Sequence, residues 1–64
     1  MKITIMDENG STLLKSKNTK EIAAGIQRIV GEAGQTVVDG FTDKGKPFGW
    51  LVSKEGKKFP FQMN

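Results

Sequence analysis

The chain has 64 residues, of which 36% are hydrophobic, and ten cations against seven anions give it a formal charge of +3. It contains no cysteine, histidine or tyrosine. Those zeros exclude a disulfide framework, a thiolate nucleophile, cysteine–histidine zinc sites and any triad that uses an imidazole base. Nine lysines, one arginine and seven carboxylates remain for acid–base work.

A chain of this length buries only roughly 60% of the surface its unfolded form exposes. Without a disulfide or metal to brace it, close core packing or self-association has to supply stability. A homodimer is therefore one expectation. The start of the chain, Met1-Lys2-Ile3-Thr4-Ile5-Met6-Asp7, turns acidic too early for the apolar core of a signal peptide. Apolar runs reach about five residues, against the ~20 of a membrane span. The expectation is a single cytoplasmic domain over residues 1–64, with no membrane association.

Residues 2–6 alternate, with Ile3 and Ile5 on one side and Lys2, Thr4 and Met6 on the other, which is the period of a strand. Asp7-Glu8-Asn9-Gly10 follows, and Asn-Gly marks a hairpin because both residues tolerate positive φ. Residues 11–15 form the returning strand. Asn18 is then a good helix N-cap, and Glu21 stands three positions on, where its carboxylate can reach back to the backbone N–H of the cap. Ile22, Ile26, Ile29, Val30 and Ala33 repeat at helical spacing. The expected helix spans 19–33, with Gly34 supplying its left-handed end. Gly25 lies beside the apolar stripe, where a missing side chain permits close approach to a neighbour.

A third strand covers 35–42. Its register is open: either Val37 and Phe41 or Val38 faces the core. In the first case Asp39 points inward as well and needs Lys46 or Arg28 as its ion-pair partner. After a turn at 43–47, a fourth strand, 48–53, has Phe48, Trp50 and Val52 on one face and Gly49, Leu51 and Ser53 on the other. Lys54-Glu55-Gly56-Lys57 closes another hairpin. The fifth strand, 58–62, contains Pro60, which lacks an N–H, so this strand is expected at a sheet edge or as an extended tail. The order β-β-α-β-β-β implies an α+β fold: a small antiparallel sheet with one amphipathic helix packed on one face.

Charge and aromaticity are unevenly placed. Residues 1–43 carry five cations and six anions, whereas residues 44–64 carry Lys44, Lys46, Lys54, Lys57 and Lys58 against Glu55 alone. All five aromatic residues, Phe41, Phe48, Trp50, Phe59 and Phe61, also fall after position 40. One helix covers one side of a sheet. If Ile3, Ile5, Leu13 or Leu14, Val38 and Leu51 pack beneath Ile22, Ile26 and Ile29, the other side holds Phe48, Trp50, Phe59 and Phe61. Rings within a basic surface suit single-stranded nucleic acid, since bases stack on the rings while lysines neutralise phosphates. The alternative is that the rings are core and the aliphatic residues are partly exposed.

The string Lys44-Gly45-Lys46-Pro47-Phe48-Gly49-Trp50-Leu51, with Phe59-Pro60-Phe61-Gln62, resembles the paired aromatic motifs of cold-shock domains. The resemblance covers fewer than 20 of the 64 residues. It implies that Phe48, Trp50, Phe59 and Phe61 serve as stacking rings. The chain departs from that family in the inserted Lys46-Pro47, in lacking the family's histidine and in its long helix.

Catalytic signals are absent. No glycine-rich phosphate loop matches the known patterns. The Asp7-x-Asn9 pair lacks the other ligands of a calcium loop, and Ser11, Ser16 and Ser53 have no neighbouring base. The expectation is a non-enzymatic binding module without cofactor or metal. Its contact residues would be Lys44, Lys46, Phe48, Trp50, Lys54, Lys57, Lys58, Phe59 and Phe61. Its partner would be single-stranded DNA or RNA or, alternatively, a protein or a second copy of the chain bound through the same apolar surface.

Overall fold

The computed structural model describes residues 2–64. Five strands and one helix follow in the order β1 (Ile3–Met6), β2 (Thr12–Ser16), α1 (Thr19–Val30), β3 (Gln35–Phe41), β4 (Pro47–Val52) and β5 (Lys58–Met63). The strands form one antiparallel sheet in the spatial order β2-β1-β5-β4-β3. The fold is α+β, as the sequence pattern implies.

Three of the four strand connections in the sheet are tight turns built on one plan. In each, a residue with a side-chain oxygen opens the turn and a glycine at positive φ stands three positions later. Asp7, Thr42 and Ser53 open them; Gly10, Gly45 and Gly56 have φ of 85°, 77° and 85°. The glycine N–H donates to the opening residue's carbonyl, and the opening residue's N–H donates across to the residue after the glycine. The opening side chain also accepts the N–H of that last residue: Ser11 to Asp7 Oδ1, Lys46 to Thr42 Oγ1, and Lys57 to Ser53 Oγ. Asn9 keeps a negative φ, so only the glycine of the Asn-Gly pair occupies the left-handed region. This is a type I turn followed by a left-handed residue.

The helix begins as its cap predicts, with an added relay. Asn18 Oδ1 accepts the N–H groups of Lys20 and Glu21. Glu21 does not bond the cap N–H itself. The Ser16 hydroxyl accepts the Asn18 N–H at 3.0 Å and donates to Glu21 Oε2 at 2.7 Å. Ser16 ends β2 and is buried, so this relay ties the helix start to the sheet. At the other end the helix stops at Val30 rather than residue 33. Gly31 takes φ 79° and its N–H donates to the Gln27 carbonyl. The left-handed terminator is therefore Gly31, three residues before the expected Gly34. Gly25 is buried against Leu14 of β2, where a Cβ would lie 2.5 Å from Leu14 Cδ2.

The helix covers the side of the sheet that carries Ile3, Ile5, Leu51, Phe59 and Phe61, which with Val30 form the buried core. Leu14, Ile22, Ile26, Ile29 and Met63 pack around it half-buried. Two expectations change here. Val38, on the same side as Leu51 by strand alternation, lies at the sheet's edge beyond the helix and is 49% exposed. Pro60 sits in the central strand rather than at an edge.

The ladder explains why Pro60 is tolerated there. Asn64 exchanges both backbone bonds with Lys2, so the residues of β5 that face β1 are Asn64, Gln62 and Pro60 in alternation. The β1–β5 register ends at Ile5 and Phe61. Pro60 thus presents its missing N–H where β1 has already left the ladder.

Ser16→Ala removes both bonds of the half-buried relay and leaves the Asn18 N–H and the Glu21 carboxylate without their shared partner. The expected loss is about 1–2 kcal/mol, read from the midpoint of urea unfolding followed by far-UV circular dichroism.

Candidate nucleic-acid interface

Strand alternation divides the expected contact residues between two faces. Trp50 pairs with Pro60, Phe48 with Gln62, and Leu51 with Phe59. Residues paired directly across a ladder point to the same side. Since Leu51, Phe59 and Phe61 are buried beneath the helix at 1%, 8% and 5% exposure, Phe48 and Trp50 lie on the opposite, uncovered face. Placing all four rings on one platform is therefore wrong for Phe59 and Phe61. On β5 they share the phase of Leu51, and the six-residue strand carries them into the core. The role that the cold-shock resemblance implies for these two rings goes with it.

The uncovered face is built from Thr4 and Met6 of β1, Pro60 and Gln62 of β5, Phe48, Trp50 and Val52 of β4, and Val37 of β3. Phe48 and Trp50 are half-buried, two residues apart on one strand and so separated by roughly 6.6 Å. Opposite Phe48 stands Gly40, and a Cβ there would come within 3.0 Å of Phe48 Cζ. The missing side chain lets the ring lie across onto β3. Val37 lies opposite Trp50.

Gly49, between the two rings, is buried. A side chain there would collide with the carbonyl of Val37, because β3 carries a bulge between Val38 and Gly40 that presses its backbone onto β4. The bulge adds Asp39 as an extra residue. Asp39 is exposed, and among the described residues the ion pair present is Lys57 with Glu8. The expected inward pairing of Asp39 with Lys46 or Arg28 does not form.

A shallow cleft of about 420 Å³ opens on this face. Met6, Phe48, Trp50 and Pro60 give it apolar walls. Asp39, Thr42 and Gln62 add a carboxylate, a hydroxyl and an amide at its rim, and the strands at Gly49 and Phe61 form its floor. Met6, Pro60, Asp39 and Gln62 are contributors that strand-by-strand reading missed. A signal for them exists in alternation: once Phe59 is taken as core, Pro60 and Gln62 must point the other way.

The lysines divide as well. Lys44 and Lys46 belong to the β3–β4 turn at one end of β4, and Lys54 and Lys57 to the β4–β5 turn at the other. Lys58 shares the uncovered face, with its Nζ 5.7 Å from the centre of the Trp50 ring. That distance is within range of a cation–π interaction. Lys57 is directed elsewhere: its Nζ lies 3.6 Å from Glu8 Oε1 and 5.5 Å from the centre of the core ring of Phe59. The face thus has a ring pair with cationic turns beyond each end and Lys58 alongside.

Compared with known protein families, curated proteins and solved structures, the chain has no match. Among the described residues no group of three or more His, Cys, Asp or Glu side chains is placed to hold a metal ion, and no helix is long and apolar enough to cross a membrane.

Substituting the two kinds of ring separates their roles. Phe61→Ala empties part of the core at an expected cost of about 3–5 kcal/mol, enough to unfold much of a domain this small. Trp50→Ala, on the uncovered face, should keep the native far-UV circular dichroism spectrum and lose less than half as much stability in urea unfolding.

Proposed function

We propose that this chain is a non-catalytic, cytoplasmic binding module that takes single-stranded nucleic acid on the uncovered face of its sheet. The observation that carries this reading is the pairing of two neighbouring rings, Phe48 and Trp50, with Lys58 beside them on a face left without a covering layer. A nucleobase is flat and apolar on its faces and polar at its edge. The cleft is apolar along its walls and polar at its rim, so a base stacked on Trp50 or Phe48 meets hydrogen-bonding groups at Asp39, Thr42 and Gln62. Stacking of this kind contributes roughly 1–3 kcal/mol per base. The strand carrying the rings ends at both sides in turns that bear lysines, which suits a phosphate backbone running along β4.

Trp50 is the sole tryptophan and reports directly on its own occupancy. Titration with a mixed-sequence single-stranded oligonucleotide at low salt should quench its fluorescence. The logarithm of the binding constant should fall linearly with the logarithm of salt concentration. Phe48→Ala should weaken binding by about 5- to 150-fold, the equivalent of one lost stack. Lys58→Ala should reduce the magnitude of the salt slope by about 0.7, the share of one phosphate contact on a single strand. Absence of quenching at low salt, with the protein folded, refutes the reading.

A further inference from the structure

We infer that β3 is a pairing edge for a second copy of this chain, joined antiparallel about Val37 into a continuous ten-stranded sheet. The two edges of the sheet differ in ways that matter for association. Both edges carry one register shift, at Ile5/Met6 beside β2 and at Val38/Gly40 in β3, so length and lysine distinguish them. β2 has only five residues and carries Lys15, and short edges that bear lysine resist pairing. β3 is the longest strand, with seven residues and neither lysine nor proline. It exposes Val37, Val38 and Phe41 at 44%, 49% and 66%. No turn, helix or loop of the described chain pairs with its outer side.

The ladder says which backbone groups are open. Ser53 N–H donates to the Lys57 carbonyl, so Ser53, Leu51 and Gly49 turn their backbone bonds toward β5. By alternation Val52 and Trp50 turn theirs toward β3, where their partners are Gln35 and Val37. Thr36 and Val38 therefore direct their N–H and C=O groups outward. Two outward residues flanking one inward residue fit a two-fold axis through Val37. Thr36 of each copy then exchanges bonds with Val38 of the other, and the two Val37 side chains meet on the uncovered face.

This register also settles the one charge on the strand. Asp39, at the bulge, falls opposite Gln35 of the second copy, whose amide can donate to the carboxylate. The two Asp39 groups stay apart. On the opposite side Val38, which the helix does not reach, packs against Thr36 of the second copy. Pairing thus covers exposed apolar groups on both faces and satisfies four outward backbone residues at once.

The chain has no cysteine, so single cysteines test the register directly. Directly opposed, non-hydrogen-bonded residues of an antiparallel pair have Cα atoms about 4.5 Å apart, within the range a disulfide spans. Val37→Cys should cross-link to a dimer under mild oxidation. Gln35→Cys and Asp39→Cys should each stay uncross-linked alone but form a disulfide-linked dimer when mixed. Sedimentation of the unmodified chain should show an approach from 7.0 kDa toward twice that mass as concentration rises. The outward amides of Thr36 and Val38 should gain hydrogen-exchange protection over the same range. Thr36→Pro removes an outward N–H that makes no bond within one chain and should return the mass to monomer with the circular dichroism unchanged. A monomer at every concentration up to the millimolar range overturns the inference. So does a dimer in which the Thr36 and Val38 amides stay unprotected, or one in which Gln35→Cys cross-links to itself as fast as Val37→Cys.

Discussion

The pairing of Leu51 with Phe59 decides on which side of the sheet every neighbouring residue lies. It is set locally: Ser53 and Lys57 close the β4–β5 turn through a backbone bond, a side-chain bond and a glycine at positive φ. Counting back two residues from that closure puts Leu51 beside Phe59, and one further step puts Trp50 beside Pro60. A slip of one residue would exchange the two sets. Phe59 and Phe61 would leave the core, and Pro60 and Gln62 would enter it. The same opener, glycine and closing residue recur at 7–11 and 42–46, so one piece of local chemistry fixes three of the four neighbour relations in the sheet, apart from β1 on β5. That remaining pairing is secured by the reciprocal bonds of Lys2 and Asn64.

Much of this is legible in the residue order, and the exceptions share a cause. Strand and helix positions follow from short-range periodicity: Ile3 and Ile5 in alternation, Ile22, Ile26 and Ile29 at helical spacing, Asn18 as cap. Gly25 beside the helical stripe correctly implies close approach, and Leu14 is what approaches. What periodicity does not carry is which strands become neighbours. β5 closes the chain yet lies at the centre, because the first hairpin docks on its far side. Pro60 points to an edge only if every strand position needs its N–H, and the early departure of β1 removes that need. The rings divide for the same reason. Phe48 and Trp50 are two residues apart, as are Phe59 and Phe61, and periodicity within each strand leaves their relative phase open; the closure of the β4–β5 turn at Ser53 and Lys57 is what sets the two pairs in opposite phase. At the helix end two glycines are available, and Gly31 ends the helix directly after Val30, leaving Ala33, which helical spacing includes, outside it.

One helix over five strands leaves a layer missing. Among the described residues the buried hydrophobic core is six side chains, and the helix carries it from β2 toward β4, leaving β3 uncovered on both sides. The chain places different materials on the two exposed regions. The uncovered face in front of β4 and β5 has rings, a proline and a polar rim. The outer edge of β3 has valines and open backbone groups. A flat π-surface suits stacking, where affinity comes from area and no fixed register is needed. An open ladder suits another strand, where affinity comes from backbone bonds in one register. The two regions therefore do not compete for one partner.

They meet at Val37, which lies opposite Trp50 on the uncovered face and is the residue about which the inferred β3 pairing is centred. If two copies join there, the uncovered faces become one surface, with Trp50 of each copy one strand in from the shared axis. Two ring pairs would then lie across four adjacent strands, β4 and β3 from each copy, at strand spacings of about 4.8 Å. A single strand of nucleic acid engaging both would bind its second site as an intramolecular event, at the high effective concentration that short tethers give. The small number of stacking rings in one copy then ceases to be a limit on affinity. Tight binding would depend on protein concentration as well as salt, and a chain unable to pair along β3 would retain the contact chemistry of one site while losing the gain from two.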